Sequence, residues 1–450
     1  MSRKIWAGAV VLVVSTLVAE EAAAQRPAVF PKEEFAARRA AFYEKIADGF
    51  AVVLGALSPP DNSLFRQNNP FFYLSGIEKP NAVLVLDGGA KKSYLFLPEL
   101  DDEKKEGEEL SPADRLKESS GIDEVQDIER FVRTLGFLNR GGEKVLYISQ
   151  RPEELQAPDT AMGNFTEQQR PWDSRLSRAG AFAKWYRERF PTAVLESYDE
   201  ILDAMRWVKS PAEIEAMRKA GHVTALGLNE AVRATRPGRY EYQIAAAADF
   251  VYFSEGAQRL AFSDIAASGA DANTWHYFEN DKALAAGDLI LLDTGAEYDY
   301  YAADLTRTWP VSGRFTEEQE KMYRCVLEAS QKMIAAVKPG VTIKDLQKIA
   351  EEVYDAHGFG DIGPPRRKEG RTYVGHFVGL SVHDVGSRTD PWVPGVVFNI
   401  EPILEKPGIH IRLEDTILVT QDGHESFTAE SPIEIEALAR LYQEGSRLYP

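Results

Sequence analysis

A punctuation pattern repeated at a fixed interval constrains this chain more than any other feature. Ser210-Pro211-Ala212-Glu213 reads as a helix start, a capping box with proline at the first helical position. Ile214, Met217, Gly221, Ala225, Leu228 and Val232 then fall on one helical face, and Pro237-Gly238 ends the run. A second helix is predicted from about Tyr240 to Glu255, closed by Gly256. The same plan recurs: a capping box at Thr316 to Gln319, a helix to about Val337, a stop at Pro339-Gly340, and a helix from Ile343 to His357 closed by Gly358. Pro339, Gly340 and Gly358 each lie 102 residues after Pro237, Gly238 and Gly256. Each helix pair is followed by short apolar strands. The repeat predicts a duplicated half-domain with pseudo-twofold symmetry, and a site between its halves that draws ligands from both.

Upstream of this repeat, helix and strand patterns alternate. Phe35 to Ala47 reads as a helix, and Ala51 to Leu57, Ala82 to Leu86, Tyr94 to Leu97 and Lys144 to Ile148 as short apolar strands. Asp101 to Glu109 is a charged, Gly-interrupted run and reads as a solvated loop, as does Pro158 to Pro171. A boundary is expected near Asp203 to Ser210. The very start differs in kind: Arg3 and Lys4 precede an apolar run of about 15 residues, Ile5 to Ala19, then Ala22-Ala23-Ala24. That run is shorter than the roughly 20 residues a spanning helix needs, so it reads as a secretory signal peptide. The expected organisation is a signal peptide over 1–24, an α/β domain over 25–202 and a second domain over 203–450, exported to the periplasm or the exterior after cleavage near Ala24.

The charge balance narrows the partners. With 52 basic and 70 acidic residues the chain carries −18, which disfavours nucleic acid and anionic membrane surfaces, both of which attract cationic proteins. A single cysteine excludes an intrachain disulfide, a multi-thiolate zinc site and an iron–sulfur cluster. Cys325 sits in a helical pattern with Met322, Val326 and Ala329 and reads as core. No later segment is long and apolar enough for a membrane span, and a homo-oligomer is expected.

Five residues carry the chemical signal. Asp293 ends the apolar run Leu289-Ile290-Leu291-Leu292, and Asp304 opens Asp304-Leu305-Thr306-Arg307-Thr308. His376 lies in Gly375-His376-Phe377-Val378-Gly379. Glu401 ends Val396-Val397-Phe398-Asn399-Ile400-Glu401, and Glu414 lies in Ile411-Arg412-Leu413-Glu414-Asp415-Thr416. Carboxylates on strands that otherwise read as buried are expensive unless paired or metal-bound. Strand alternation puts Asn399 with Glu401, and Arg412 with Glu414 and Thr416. Asp293 and Asp304 suit neighbouring antiparallel strands. Four carboxylates and an imidazole make a hard, oxygen-rich site that two divalent cations would neutralise. Mn(II) is favoured over a thiolate-seeking metal, with Zn, Co and Fe(II) left open.

The segments LLDTGAEYDYYAADLTRTWPVSGRF, VGHFVGLSVHDVG, FNIEP and IRLEDT resemble, in order, the ligand motifs of the pita-bread (M24-type) metallopeptidases, which include methionine aminopeptidase, aminopeptidase P and prolidase. Phe65 to Leu86, FRQNNPFFYLSGIEKPNAVLVL, is similar to the amino-terminal domain of aminopeptidase P. The resemblance implies an α/β amino-terminal domain followed by an α+β pita-bread catalytic domain with pseudo-twofold symmetry. The activity it implies is hydrolysis of the bond between an amino-terminal residue and a following proline, in peptides with proline second.

By the same resemblance, Asp293 would hold one metal, Asp304 and Glu414 would bridge both, and His376 and Glu401 would complete the other. His276 and His383 match substrate-side histidines. Arg412 matches an arginine behind the ligands, and Glu401 is the candidate proton carrier. His222, His357, His410 and His424 match nothing. Thr372 stands where many members have a further histidine, and Glu405 where some have an aromatic residue. An Xaa-Pro dipeptidase is the close alternative. A metal-free pita-bread hydrolase or binding protein is a remoter one, because all five ligands are present. A serine hydrolase is disfavoured, because Gly379-Leu380-Ser381-Val382-His383 is not G-x-S-x-G.

Overall fold

A computed structural model describes residues 30–59, 63–100, 109–140, 144–151, 177–362 and 372–449. The expected signal peptide, the Pro158–Pro171 stretch and nearly all of the charged run from 101 lie outside the described residues.

The first unit is built on a six-stranded mixed sheet. Its strands lie in the order Glu124–Asp127, Lys92–Leu97, Val83–Asp87, Gly49–Leu54, Val145–Tyr147, Val194–Glu196. The central pairs are antiparallel, with Phe50 opposite Asp87 and Leu54 opposite Val83, while the outer pairs are parallel. Alternation sorts the side chains between two cores. Phe50, Val52, Val83 and Val85 pack against Leu135, Leu138 and Tyr186 of the helices Phe131–Leu138 and Arg178–Arg189. Ala51, Val53, Leu84 and Leu86 pack on the other side, against Phe35, Phe42, Phe71 and Phe72 of the helices Lys32–Tyr43 and Asn69–Ser75. That second core continues without a break into Tyr300, Tyr301, Val378 and Leu380 of the following unit, so one hydrophobic layer joins the two.

The first helix starts and stops earlier than its apolar pattern suggests. It opens after Pro31 and ends at Tyr43, because the N–H groups of Lys45 and Ile46 turn back to Phe42 and Tyr43 before the chain enters the sheet at Gly49. Across the expected boundary from Asp203 to Ser210, the helix Asp199–Trp207 ends and the helix Pro211–Ala234 begins.

In the second unit the two helix pairs are Pro211–Ala234 with Glu241–Ser254, and Glu317–Ala336 with Ile343–Ala356. Both reciprocal capping boxes form, Ser210 with Glu213 and Thr316 with Gln319. The repeated glycines all sit in the left-handed region, at φ +85° and +92° for Gly238 and Gly256, and +94° and +74° for Gly340 and Gly358. After the first pair come the antiparallel strands Ile265–Ser268, Leu289–Thr294 and Leu305–Pro310. After the second come Val397–Ile400, paired with Asp415–Val419, and the hairpin Ile403–Lys406 with Ile409–Arg412. A bridge between Thr306 and Glu414 ties the halves together. The run from Ile411 to Thr416 is therefore two strands in two sheets, and it changes partner at Leu413 and Glu414. Cys325 is buried in the core of this unit. Among the described residues no helix is long and apolar enough to cross a membrane.

Candidate metal centre

Asp293 is the fifth residue of a strand whose six residues are all buried, opposite Thr306 in the register. Asp304 immediately precedes the partner strand, and its N–H donates to Thr416 Oγ1 at 3.1 Å. Glu414 sits at the sheet change, where its N–H reaches Thr306 O at 3.0 Å. Thr306 Oγ1 donates to its Oε2 at 2.5 Å and Asn399 Nδ2 to its Oε1 at 2.8 Å. Arg307 fixes the backbone here, with Nη1 2.7 Å from Glu414 O and Nη2 2.8 Å from Asp415 Oδ1.

The segment from Val374 to Val378 runs alongside the strand Val397–Ile400: Asn399 N donates to His376 O at 2.7 Å and Glu401 N to Val374 O at 2.9 Å. This brings His376 Nε2 to 3.2 Å from Asp304 Oδ2 and 3.6 Å from Glu414 Oε1. The His383 ring meets the His376 ring edge-on, with centroids 4.1 Å apart. Arg412 spans the other side, with Nη2 2.6 Å from Asp293 Oδ2 and Nη1 3.3 Å from Glu401 Oε1. Asp293, Asp304, His376, Glu401, Arg412 and Glu414 are thus one buried cluster, 1–8% exposed. His276 stands apart: it is exposed, stacked on Phe278, and no hydrogen bond or ion pair joins it to the carboxylates.

The electrostatics follow from burial. Asp304 is pushed well above the usual carboxylate range by burial and by Glu414 and Asp293. Burial, together with Glu414, pushes Glu401 up to about 8. Burial also raises Asp293, with Arg412 opposing. Glu414 is the exception: burial would raise it, but His376 and Arg412 outweigh that and hold it low. Burial draws the His376 imidazole down, yet Asp304 and Glu414 hold it well above its ordinary value. Four acids crowd one guanidinium and one imidazole, and without further positive charge the cluster holds protons.

The donor set fits divalent cations. Asp293 Oδ1 and Asp304 Oδ1 are buried and have no hydrogen-bond partner, which is costly for carboxylate oxygens unless a cation takes them. One ligand atom each from Asp304, His376 and Glu414 lie within 4.8 Å of one another. Carboxylate oxygens with one imidazole suit a hard or borderline divalent ion.

Some neighbours are not evident from the residue pattern. Thr306 and Asn399 orient Glu414, although alternation alone groups Asn399 with Glu401. The Tyr373 phenol lies beside Glu401, and burial followed by that carboxylate raises it well above its ordinary value. His410 is buried on the same strand as Arg412, with Nδ1 3.4 Å from Glu405 Oε2 and its ring edge toward Trp275. The one sequence signal of Thr306, Asn399 and Tyr373 is a spacing of two or three residues from a ligand candidate, and that of His410 is its place two residues before Arg412. Thr372 points elsewhere, donating to Glu351 Oε1 at 2.6 Å. The remaining histidines are local: His222 pairs with Glu430, His357 with Glu328, and His424 with Val337 O.

Buried acids around an imidazole, drawn from both halves of a repeated helix-and-strand unit, make a site able to hold divalent cations. Residues 215–421 match metallopeptidase family M24, and residues 35–147 match the aminopeptidase P amino-terminal domain. The chain is 31% identical to the Xaa-Pro aminopeptidase of Escherichia coli over 446 residues, covering 90% of this chain and 97% of that one. It is 30% identical to the Xaa-Pro aminopeptidase of Haemophilus influenzae, covering 92% and 98%. Among solved structures, proline aminopeptidase P II from Yersinia pestis superposes with a TM-score of 0.76 at 28% identity, covering 92% of this chain and 100% of that chain. The chain belongs to the M24 metallopeptidases, in the aminopeptidase P branch. It is a metallo-aminopeptidase, with an α/β amino-terminal domain and an α+β pita-bread catalytic domain of pseudo-twofold symmetry. Family membership implies a divalent metal, for which the buried Asp/His/Glu group is available.

Proposed function

We propose that this enzyme releases the amino-terminal residue from peptides with proline second, and that Asp293, Asp304, His376, Glu401 and Glu414 hold two divalent cations, Mn(II) by preference. The observation that carries the reading is the pair of buried, unpartnered oxygens on Asp293 and Asp304, in the same cluster as the Asp304, His376 and Glu414 ligand atoms. The likeness to Xaa-Pro aminopeptidases over almost their whole length supports the substrate class.

When bound, the cations would polarise the scissile carbonyl and lower the pKa of a water from 15.7 toward about 7. The protein supplies the rest. Asp304 and Glu414 would be shared between the cations, with Glu414 held in one orientation by Thr306 and Asn399. Arg412 keeps Asp293 and Glu401 fixed from behind. Glu401 takes the proton of the attacking water and passes it to the departing proline nitrogen. That nitrogen needs the proton to leave, and an imide bond with no N–H and a fixed φ resists ordinary peptidases. His383 donates to the developing oxyanion, and His276 contacts substrate from the open side.

The test is direct. The mature enzyme with Mn(II), given Xaa-Pro-Yaa peptides and Xaa-Pro dipeptides side by side, should release the free first residue from the longer peptides, and chelator should abolish this. The Xaa-Pro dipeptidase of Pyrococcus furiosus is also 30% identical, covering 79% of this chain and 90% of that one. Cleavage of dipeptides alone would establish that alternative, and hydrolysis that survives chelation would refute both. Export with cleavage near Ala24 and a homo-oligomeric state belong to the same proposal. They are tested by amino-terminal sequencing of the exported protein and by light scattering.

A further inference from the structure

The loop from Gly379 to Gly386, which carries His383, is gripped in part by residues of the amino-terminal domain. Arg66 Nη2 donates to Leu380 O at 3.2 Å, and Asn69 Nδ2 donates to Ser381 Oγ at 2.9 Å. On the far side of His383, Arg206 Nη2 lies 2.5 Å from Asp384 Oδ1, and Lys209 Nζ lies 3.6 Å from Asp384 Oδ2. Ser381, two residues before His383, is therefore tied to the amino-terminal domain, and Asp384, directly after it, to Arg206 and Lys209 at the start of the catalytic domain.

Arg66 is itself immobilised. Its side chain is fully buried, with Nε 2.7 Å from Glu297 Oε2 and Nη1 2.9 Å from Asn69 Oδ1. Its guanidinium lies over the Tyr300 ring, which stacks flat on Phe72 at 3.5 Å. These bonds decide which way the Asn69 amide faces. Its oxygen must accept from Arg66, so its NH₂ must face Ser381. Arg66 thus donates both ways, to Glu297 and to Asn69, and Asn69 donates on to Ser381, two residues before His383. Apolar packing already joins the two domains through Phe72, Tyr300 and Leu380. A buried polar chain adds little net adhesion to that, but it fixes one geometry and penalises others.

We infer that Asn69 and Arg66 are positioning residues for His383, so that the amino-terminal domain sets the reach of a substrate-side group in the catalytic domain. The inference rests on the proposed role of His383. A misplacement of about 1 Å in such a group can cost on the order of 100-fold in rate. Loss of one of several braces is expected to cost about 10-fold.

The test is a cycle between N69A and H383A, followed by kcat, KM, metal content and thermal midpoint. N69A should lower kcat about 10-fold, with KM changed less than about two-fold and metal content unchanged. In the H383A background N69A should have no further effect on kcat. An equal loss in both backgrounds, a loss of metal, or no loss at all would overturn the inference. Should N69A fold poorly, S381A removes only the hydroxyl that Asn69 grips, and the same outcomes apply to it. If the wild type hydrolyses no Xaa-Pro substrate, the functional reading fails separately and the brace is judged by NMR of histidine-labelled protein. The His383 ring signal, assigned by its loss in H383A, should shift in N69A or S381A, and an unshifted signal overturns the brace.

Discussion

His376 Nε2 stands 3.2 Å from Asp304 Oδ2, an imidazole from one half of the catalytic domain against a carboxylate from the other. With burial opposing a charged imidazole and Asp304 and Glu414 favouring it, the imidazole is held well above its ordinary value. The metal-free cluster therefore retains protons, and cations must displace them.

Metal uptake should release protons. Burial and Glu414 push the Glu401 carboxyl up to about 8, so the metal-free protein holds that proton at neutral pH and gives it up as pH rises through 8. Affinity for Mn(II) should rise with pH as the Glu401 proton is lost through about 8. Calorimetry at pH 7 in two buffers of different ionisation enthalpy should show at least one proton released per protein. Identical heats in the two buffers would contradict this.

Removing a shared ligand should remove metal and activity together. Asp304→Ala or Glu414→Ala is expected to leave the purified protein without bound Mn(II) and to lower turnover by at least about 100-fold. Added Mn(II) should raise the thermal midpoint of the wild type by mass action and leave either variant unmoved. Near-normal turnover in either variant would rule out shared ligation.

Gly375 should not tolerate a side chain. Its φ is +133°, and a Cβ there would lie 1.7 Å from Asn399 O. Gly375→Ala must push the His376 segment off the strand that holds Glu401, at a cost of about 1–3 kcal/mol from backbone strain alone. A lower denaturation midpoint with weakened metal binding is expected. A variant with unchanged midpoint and metal content would show that the close approach is not required.

Cys325 should be inert in the folded protein. Burial pushes its thiol up to about 12 from an ordinary value of 9.0. At pH 8, alkylation by iodoacetamide should run about 1000-fold slower than in the unfolded chain, in proportion to thiolate content. Because the folded state keeps this proton while the unfolded state loses it above about pH 9, the thiol should subtract stability progressively between pH 9 and 12. Rapid alkylation at pH 8 in native buffer would contradict the buried assignment.

Helix ends are legible in this sequence because their signals are local. Ser210 with Glu213, Thr316 with Gln319, and the glycines after Pro237 and Pro339 act within a few residues of where they stand. The acidic ligand candidates are legible for the opposite reason: a carboxylate in a run such as Leu289 to Leu292 conflicts with its surroundings, and that conflict is visible without coordinates. The orientation of Glu414 is not legible, because it depends on register between Thr306, Asn399 and a strand that changes sheets at Leu413. Nor is the grip of Asn69 on Ser381, which spans 312 residues and exists only once two domains have docked.

Diffraction from crystals grown with Mn(II), collected at the manganese absorption edge, addresses the centre itself. Two anomalous peaks should lie among Asp293, Asp304, His376, Glu401 and Glu414, with Asp304 and Glu414 contacting both. A single peak, or peaks outside this cluster, would contradict the dinuclear account.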